Sequence, residues 1–364
     1  MQKEKTKEIR LDFLANFPQN HKANVLLHSQ NVPNPNTLDS AYLSQLSQDS
    51  KNLASLFGKT HAHSFNYTSS DFFTLFSLLH KHNFHIILST TLHQQSLYAA
   101  RICHNITLIS PNQQGIIQSI PPLPNKKKLA FFLPFVNQDI LTQNPIEELL
   151  EMILHTYPNA LVFLDISLLA SVLDSTQLKR LSTLSHPQIL FLCNAESIGL
   201  SRPSGFILSD FNALKNNQVV DDFLQLQLLR PNLFKAAYIA LQDILQSPKI
   251  KDCKNEFYTK LKNLLGENLS LFAPLESTLP NALPLRFSHI KARLLLQALS
   301  VEGIFAINGQ DCLFGNAKPS FVLASQGYDE PSTRELLSIS YNDEIELDSI
   351  VQSLSNAYLN LVQF

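Results

Sequence analysis

The 364 residues carry 28 Lys and Arg against 30 Asp and Glu, a formal net charge of -2, with 45% hydrophobic and 16% charged residues. That balance excludes a broad electrostatic attraction to nucleic acid or to an anionic membrane, and the apolar share suits a globular chain with a substantial core. Nine glycines, well under the roughly 7% of an average chain, leave few places where backbone can close tightly on a phosphate.

The opening segment, MQKEKTKEIRLDF, is charged and lacks the apolar stretch of a signal peptide. No apolar run reaches the roughly 18 residues of a membrane span, so a cytoplasmic protein without a membrane partner is expected. The Asn, Lys, Ile, Phe and Leu bias with no Trp points to an AT-rich bacterial genome. Strands are expected at Asn24–Ser29, Phe84–Ser89, Asn105–Ser110, Lys128–Val136, Ala160–Ser167, Gln188–Asn194 and Gly205–Asp210. Most are continuous apolar runs, the pattern of strands covered on both faces. Amphipathic segments such as Ile146–Tyr157 and Ser175–Leu184 lie between them, and the alternation predicts a doubly wound, mainly parallel α/β domain.

Beyond about Leu224 the texture changes. Helices are expected over Arg230–Gln246, with Pro231 near its start, over Lys254–Glu267 and over Lys291–Gly303. Strands are expected at Ala282–Ser288 and Glu335–Tyr341, and a helix at the end. The expected organisation is a large α/β domain over residues 21–225 and a smaller α+β domain over 226–364, with residues 1–20 packing on the latter. Cys103, Cys193, Cys253 and Cys312 are scattered, with no CxxC pair, so neither a disulfide framework nor a zinc site is expected. Cys193 ends an apolar run and reads as core. His61 and His63 have no third ligand nearby, and no metal is expected. Cys312 is different: it sits in a polar segment, NGQDCLFGNAKPS, between two glycines.

The stretch Gly303–Val351 resembles the C-terminal region of cysteine desulfurases, class V aminotransferase-like enzymes of the fold-type I pyridoxal phosphate (PLP) transferase architecture. Cys312, Pro319, Ser320, Val322, Leu323 and Gly327 fall where that family has its acceptor cysteine loop, a Pro-Ser pair and the following helix. The likeness continues through the chain. His85–Leu97 resembles the segment that lays a histidine over the PLP ring, which implies His93. Phe135–Asp139 resembles the family's Val-Asn-Asn-Glu loop, which implies Asn137 and Gln138 beside the cofactor. Val162–Leu173 resembles the strand ending in the aspartate that pairs with the pyridine nitrogen, which implies Asp165. Thr68 and Ser69 fall in the phosphate-binding turn. The resemblance also implies a homodimer and, as partners, sulfur-transfer or iron-sulfur assembly proteins.

Each residue type has a chemical reason. A carboxylate at the pyridine nitrogen keeps it protonated and so keeps PLP an electron sink. A lysine forms the Schiff base. An arginine grips the substrate carboxylate, and a mobile thiolate takes the sulfur. Three of these parts are missing. The lysine position falls on Glu196 or Ser197, and the next lysine is Lys215. The phosphate turn reads Thr68-Ser69-Ser70-Asp71, with no glycine and one added carboxylate. The arginine position falls on Ser338, with Arg334 four residues earlier, and Leu168 replaces a glutamine. The sequence therefore reads as a degenerate cysteine desulfurase-like protein, catalytically impaired and retained for interaction or structure. The alternative is a working PLP-dependent desulfurase with Cys312 as persulfide acceptor. Bland readings stand beside these: Cys312 as an incidental loop thiol, His93 as a histidine near a helix start, Asp165 as a helix cap, and Asn137 and Gln138 as loop residues.

Overall fold

A computed structural model describes residues 8–29, 40–123, 128–210, 222, 230, 232–249, 251–310, 318–342 and 345–363. Its centre is a seven-stranded sheet. In chain order the strands are β2 (His61–Ser64), β3 (Phe84–Ser89), β4 (Ile106–Ile109), β5 (Lys128–Pro134), β6 (Leu161–Asp165), β7 (Ile189–Asn194) and β8 (Gly205–Ser209). The spatial order is β2-β8-β7-β6-β5-β3-β4. Neighbours from β4 to β7 pair in parallel, and β8 pairs antiparallel with both β7 and β2. Every residue of β6, β7 and β8 is buried, as the unbroken apolar runs require of strands covered on both sides.

Two cores result from the alternation of side chains along these strands. On one face Phe131, Leu133, Val162, Leu164 and Phe191 meet α5 (Ile146–Thr156) and α8 (Leu233–Gln246). On the other, Ile86, Leu88, Phe132, Phe163 and Leu192 meet α3 (Ser69–Lys81) and α4 (Gln94–Ile102). Phe132 and Phe163 stack with centroids 4.4 Å apart. A third core belongs to the C-terminal part. There a three-stranded antiparallel sheet, β9 (Leu269–Leu271), β10 (Ala282–Phe287) and β12 (Leu336–Ser340), packs on α9 (Lys254–Leu265), α10 (Ala292–Val301) and α13 (Leu347–Val362). Strand β1 (Ile9–Arg10) pairs in parallel with β11 (Ile304–Phe305). Among the described residues no helix is long and apolar enough to cross a membrane.

One expected strand is a helix. Asn24–Ser29 lies in and just beyond α1 (His21–His28), whose start is fixed by the Asn20 side chain accepting from Ala23 N at 3.0 Å. An Asn N-cap with helix-tolerant Leu, Ala and Lys around it outweighs the short apolar run. Conversely, His61–Ser64 is a strand, although only its histidines stood out in the sequence. His63 Nε2 lies 2.8 Å from Ser209 Oγ across to β8, and no metal-holding cluster exists among the described residues.

Candidate functional site

Parallel strands bring their carboxyl ends to one edge, where the following loops form a cleft. After β3 comes the turn that carries His93, and after β5 the Phe135–Gln138 loop. Asp165 ends β6, and β7 runs into the single 3-10 turn Ala195–Ile198. The cleft has a volume of about 230 Å³ and is lined among others by Tyr67, Thr68, His93, Gln138, Glu196 and Arg202. Thr68, His93, Gln138 and Leu168 of the sequence candidates reach it, and Ser338 lies on its small-lobe side.

Asp165 is fully enclosed, at 2% exposure. One carboxylate oxygen accepts from Ser167 N at 2.9 Å, and the other from the Tyr67 hydroxyl at 2.5 Å. Gln138 Nε2 makes a long 3.5 Å contact with that second oxygen. Burial pushes the Asp165 carboxyl up from its ordinary value, against the pull of the Ser167 and Tyr67 hydrogen bonds. Burial, with Asp165 close by, pushes the Tyr67 hydroxyl well up too, so it remains a donor. The Tyr67 ring meets His93 edge-on, with centroids 5.4 Å apart and planes at 84°. Tyr67 has φ +60, a left-handed conformation that costs a non-glycine residue about 1–3 kcal/mol. Tyr67 was not singled out in the sequence: its partner is 98 residues away, and no local pattern announces such a contact.

The helix end that follows is satisfied from within. Thr68 caps α3, its side chain accepting from Asp71 N at 3.2 Å. Ser69 N donates to Gln95 Oε1 at 2.9 Å. The Asp71 carboxylate turns back to accept from Asn66 N at 2.6 Å, and burial raises it above its ordinary value. The Ser69 and Asp71 amides, which at a helix N-terminus could face an anion, are thus engaged by the chain's own side chains.

At the turn after β7, Glu196 faces Arg202 in an ion pair of 2.5 Å. Burial raises the Glu196 carboxyl, opposed by that arginine. Ser197 turns its hydroxyl inward, donating to the carbonyls of Asn194 and Ser167 at 2.6 and 2.8 Å. Of the two residues that the sequence left open, Glu196 therefore presents its charged end at the cleft. No lysine among the described residues lines the cleft, and Lys215 lies outside the described residues. Asn137 is buried below the loop: its Oδ1 accepts from Asp139 N and Ile140 N at 3.0 and 3.2 Å, and its Nδ2 donates to Gly115 O at 3.2 Å. It organises the loop and does not line the cleft. Ser338 donates to Asp139 O at 2.8 Å, and Arg334 is paired with Glu330. Cys312 lies outside the described residues. Its described flanks converge on Asp139, which accepts from Gln310 N at 3.2 Å and from Ser320 Oγ at 2.5 Å. Cys193 is buried, and burial raises its thiol well above the ordinary range, as suits an inert core residue.

The sheet order, the cleft at the strand ends and the smaller C-terminal sheet define the fold-type I PLP-transferase architecture. Solved structures with this fold include a NifS-like protein from Rickettsia africae, at TM-score 0.69 and 15% identity, covering 98% of this chain and 100% of that one. DndA from Streptomyces lividans matches at TM-score 0.59 and 14% identity over 89% of this chain and 97% of that one. A structure described as SPT with a PLP internal aldimine matches at TM-score 0.65 and 13% identity over 98% and 89%. At these identities the likeness is one of fold. No protein-family model matches the sequence, and no curated protein does.

Proposed function

We propose that this chain is a cysteine desulfurase-like protein that no longer performs Schiff-base chemistry and is kept for interaction or structure. The observation that carries the reading is the Tyr67 hydroxyl on Asp165 at 2.5 Å. The carboxylate that would hold a pyridine nitrogen already has a donor from its own chain. Two further features point the same way. Gln95 occupies Ser69 N at the start of α3, and Glu196, paired with Arg202, stands in the cleft where the resemblance calls for a lysine. An acid cannot condense with an aldehyde, so the described residues that line the cleft do not fit PLP. Homodimerisation and contact with sulfur-transfer or iron-sulfur assembly proteins are part of this proposal, carried over from the sequence resemblance.

The test is incubation of the purified protein with PLP, followed by a visible spectrum, borohydride reduction and peptide mapping. The expected result is no visible aldimine band and no stoichiometric phosphopyridoxyl adduct on any single lysine. A stoichiometric adduct, at Lys215 or elsewhere, accompanied by release of sulfide from cysteine that Cys312→Ala abolishes, would establish a working desulfurase instead.

A further inference from the structure

We propose that a second cavity, of about 220 Å³ between α4 and the segment Lys318–Ala324, binds a small organic acid: a carboxylate carried on a flat apolar ring. This cavity shares no lining residue with the cleft at the strand ends. One wall is a single face of α4, where Gln94, Tyr98 and Arg101 follow one another at spacings of four and three residues. The other wall comes from Lys318, Pro319 and Phe321, far along the chain. Hydrogen bonds close beside the cavity tie the two walls together. Gln94 N donates to Gln310 Oε1 at 2.7 Å, and Thr90 Oγ1 lies 2.7 Å from Ser325 Oγ.

The lining selects the ligand by what it offers. Arg101 and Lys318 bring two positive charges, and no aspartate or glutamate is among the described residues that line the cavity. The Arg101 guanidinium lies 5.3 Å from the Tyr98 ring centroid and 5.6 Å from that of Phe321. Such contacts restrain a guanidinium without supplying a carboxylate for its N–H fork, which matches that group in bidentate fashion. The other polar groups are committed elsewhere. Gln94 Nε2 donates to the Tyr98 hydroxyl at 3.0 Å. Ser320 Oγ donates to Asp139 Oδ2 at 2.5 Å and accepts from Leu323 N at 3.1 Å. What is left to meet a ligand is two cations beside the apolar surfaces of Tyr98, Pro319, Phe321 and Ala324. An inorganic phosphate needs donors on every side and gains nothing from those surfaces. A ring with one carboxylate uses both, and the small volume holds a group of about that size.

The inference does not rest on the reading of the cleft at Asp165, and it stands or falls separately from PLP uptake. The probe is 4-fluorobenzoate, followed by fluorine NMR in the presence of the full-length protein. Saturable broadening of its signal is expected at millimolar concentration or below. Arg101→Gln should weaken binding at least tenfold and Lys318→Gln at least threefold. Both side chains are exposed, so both variants should fold, which circular dichroism checks. Arg101→Lys keeps the charge but loses the fork, and should also bind more weakly than the native protein. The uncharged 4-fluorobenzamide, of the same shape, should bind at least tenfold more weakly than the acid. Inorganic phosphate at equal concentration should not displace it. No saturable binding at millimolar concentration, native affinity in Arg101→Gln, or equal binding of the amide would overturn the proposal. So would displacement by phosphate, which would show that the site reads charge alone. An acidic peptide such as acetyl-Glu-Glu-Phe that binds at Arg101 where 4-fluorobenzoate does not would assign the surface to a protein partner instead.

Discussion

His93 is half-buried against Tyr67, and burial, with Arg202 nearby, holds its imidazole down at about 4. In the unfolded chain the imidazole titrates near its ordinary value of about 6.5. Protons are then bound more readily by the unfolded chain across that window, so stability rises with pH from about 4 to 6.5 and is fully present above it. The swing amounts to at most about 3 kcal/mol for this residue. Asp165 and Glu196, both raised by burial, run the other way: each contributes stability at low pH that is lost as pH climbs through its folded value. His93→Asn separates the two. Asn can still cap α4 by accepting from Gln95 N, as His93 Nδ1 does at 3.3 Å, but it does not titrate. Urea melts of His93→Asn should show a flatter dependence between pH 4 and 6.5, by up to about 3 kcal/mol. An unchanged slope would mean that His93 is not neutral in the fold.

At the scale of elements, the site depends on how closely β8 approaches its neighbours. Gly205 opens β8 opposite Asn194, and a Cβ there would stand 2.6 Å from Phe65 O and 2.7 Å from Cys193 O. Both are backbone atoms and cannot step aside cheaply. Gly205→Ala should therefore cost about 3 kcal/mol and displace the Phe65–Tyr67 segment that delivers the phenol to Asp165. Gly303 is the control. It has φ +77 but open space around its Cβ position, so Gly303→Ala should cost about 1 kcal/mol from backbone strain alone. Equal losses in urea titrations would contradict this account. The continuous apolar runs that became β3 and β5 to β8 were legible in the sequence because burial on both faces writes itself into every residue of a strand. His61–Ser64 was not, because an edge strand with alternating polar residues resembles a loop. At the site, Asp165, His93 and Thr68 could be placed because each ends or begins an element. Tyr67 and Gln95 could not, since their roles come from contacts across 98 and 26 residues.

The N-terminal segment is one of the links between the two parts of the molecule at the cleft, beside contacts such as those of Asp139 with Gln310, Ser320 and Ser338. Leu11 is fully buried in the small-lobe core, whereas Phe13 and Leu14, two and three residues later, belong to the core of the large sheet. The strap is fixed along its length: Leu11 N donates to Phe305 O at 2.7 Å, Phe13 N to Ser340 O at 3.0 Å, and Leu14 N to Ser340 Oγ at 2.9 Å. Leu14 and Ala15 then form part of the cleft wall. Helix α8 lies beyond residue 225, yet its Leu233, Phe234 and Leu241 pack into the large-sheet core, as do Leu279 and Ala282. If the strap couples two lobes into one cooperative unit, native unfolding should give a single calorimetric transition. Leu11→Ala should cost about 2–5 kcal/mol and Phe13→Ala about 3–5 kcal/mol. Because each deletion loosens the strap at a different core, the double variant should lose cooperativity as well as stability, with the transition splitting in two. A double variant that melts in one transition, shifted by the sum of the single effects, would show that the lobes are joined by the rest of their interface and that the strap only adds to its strength.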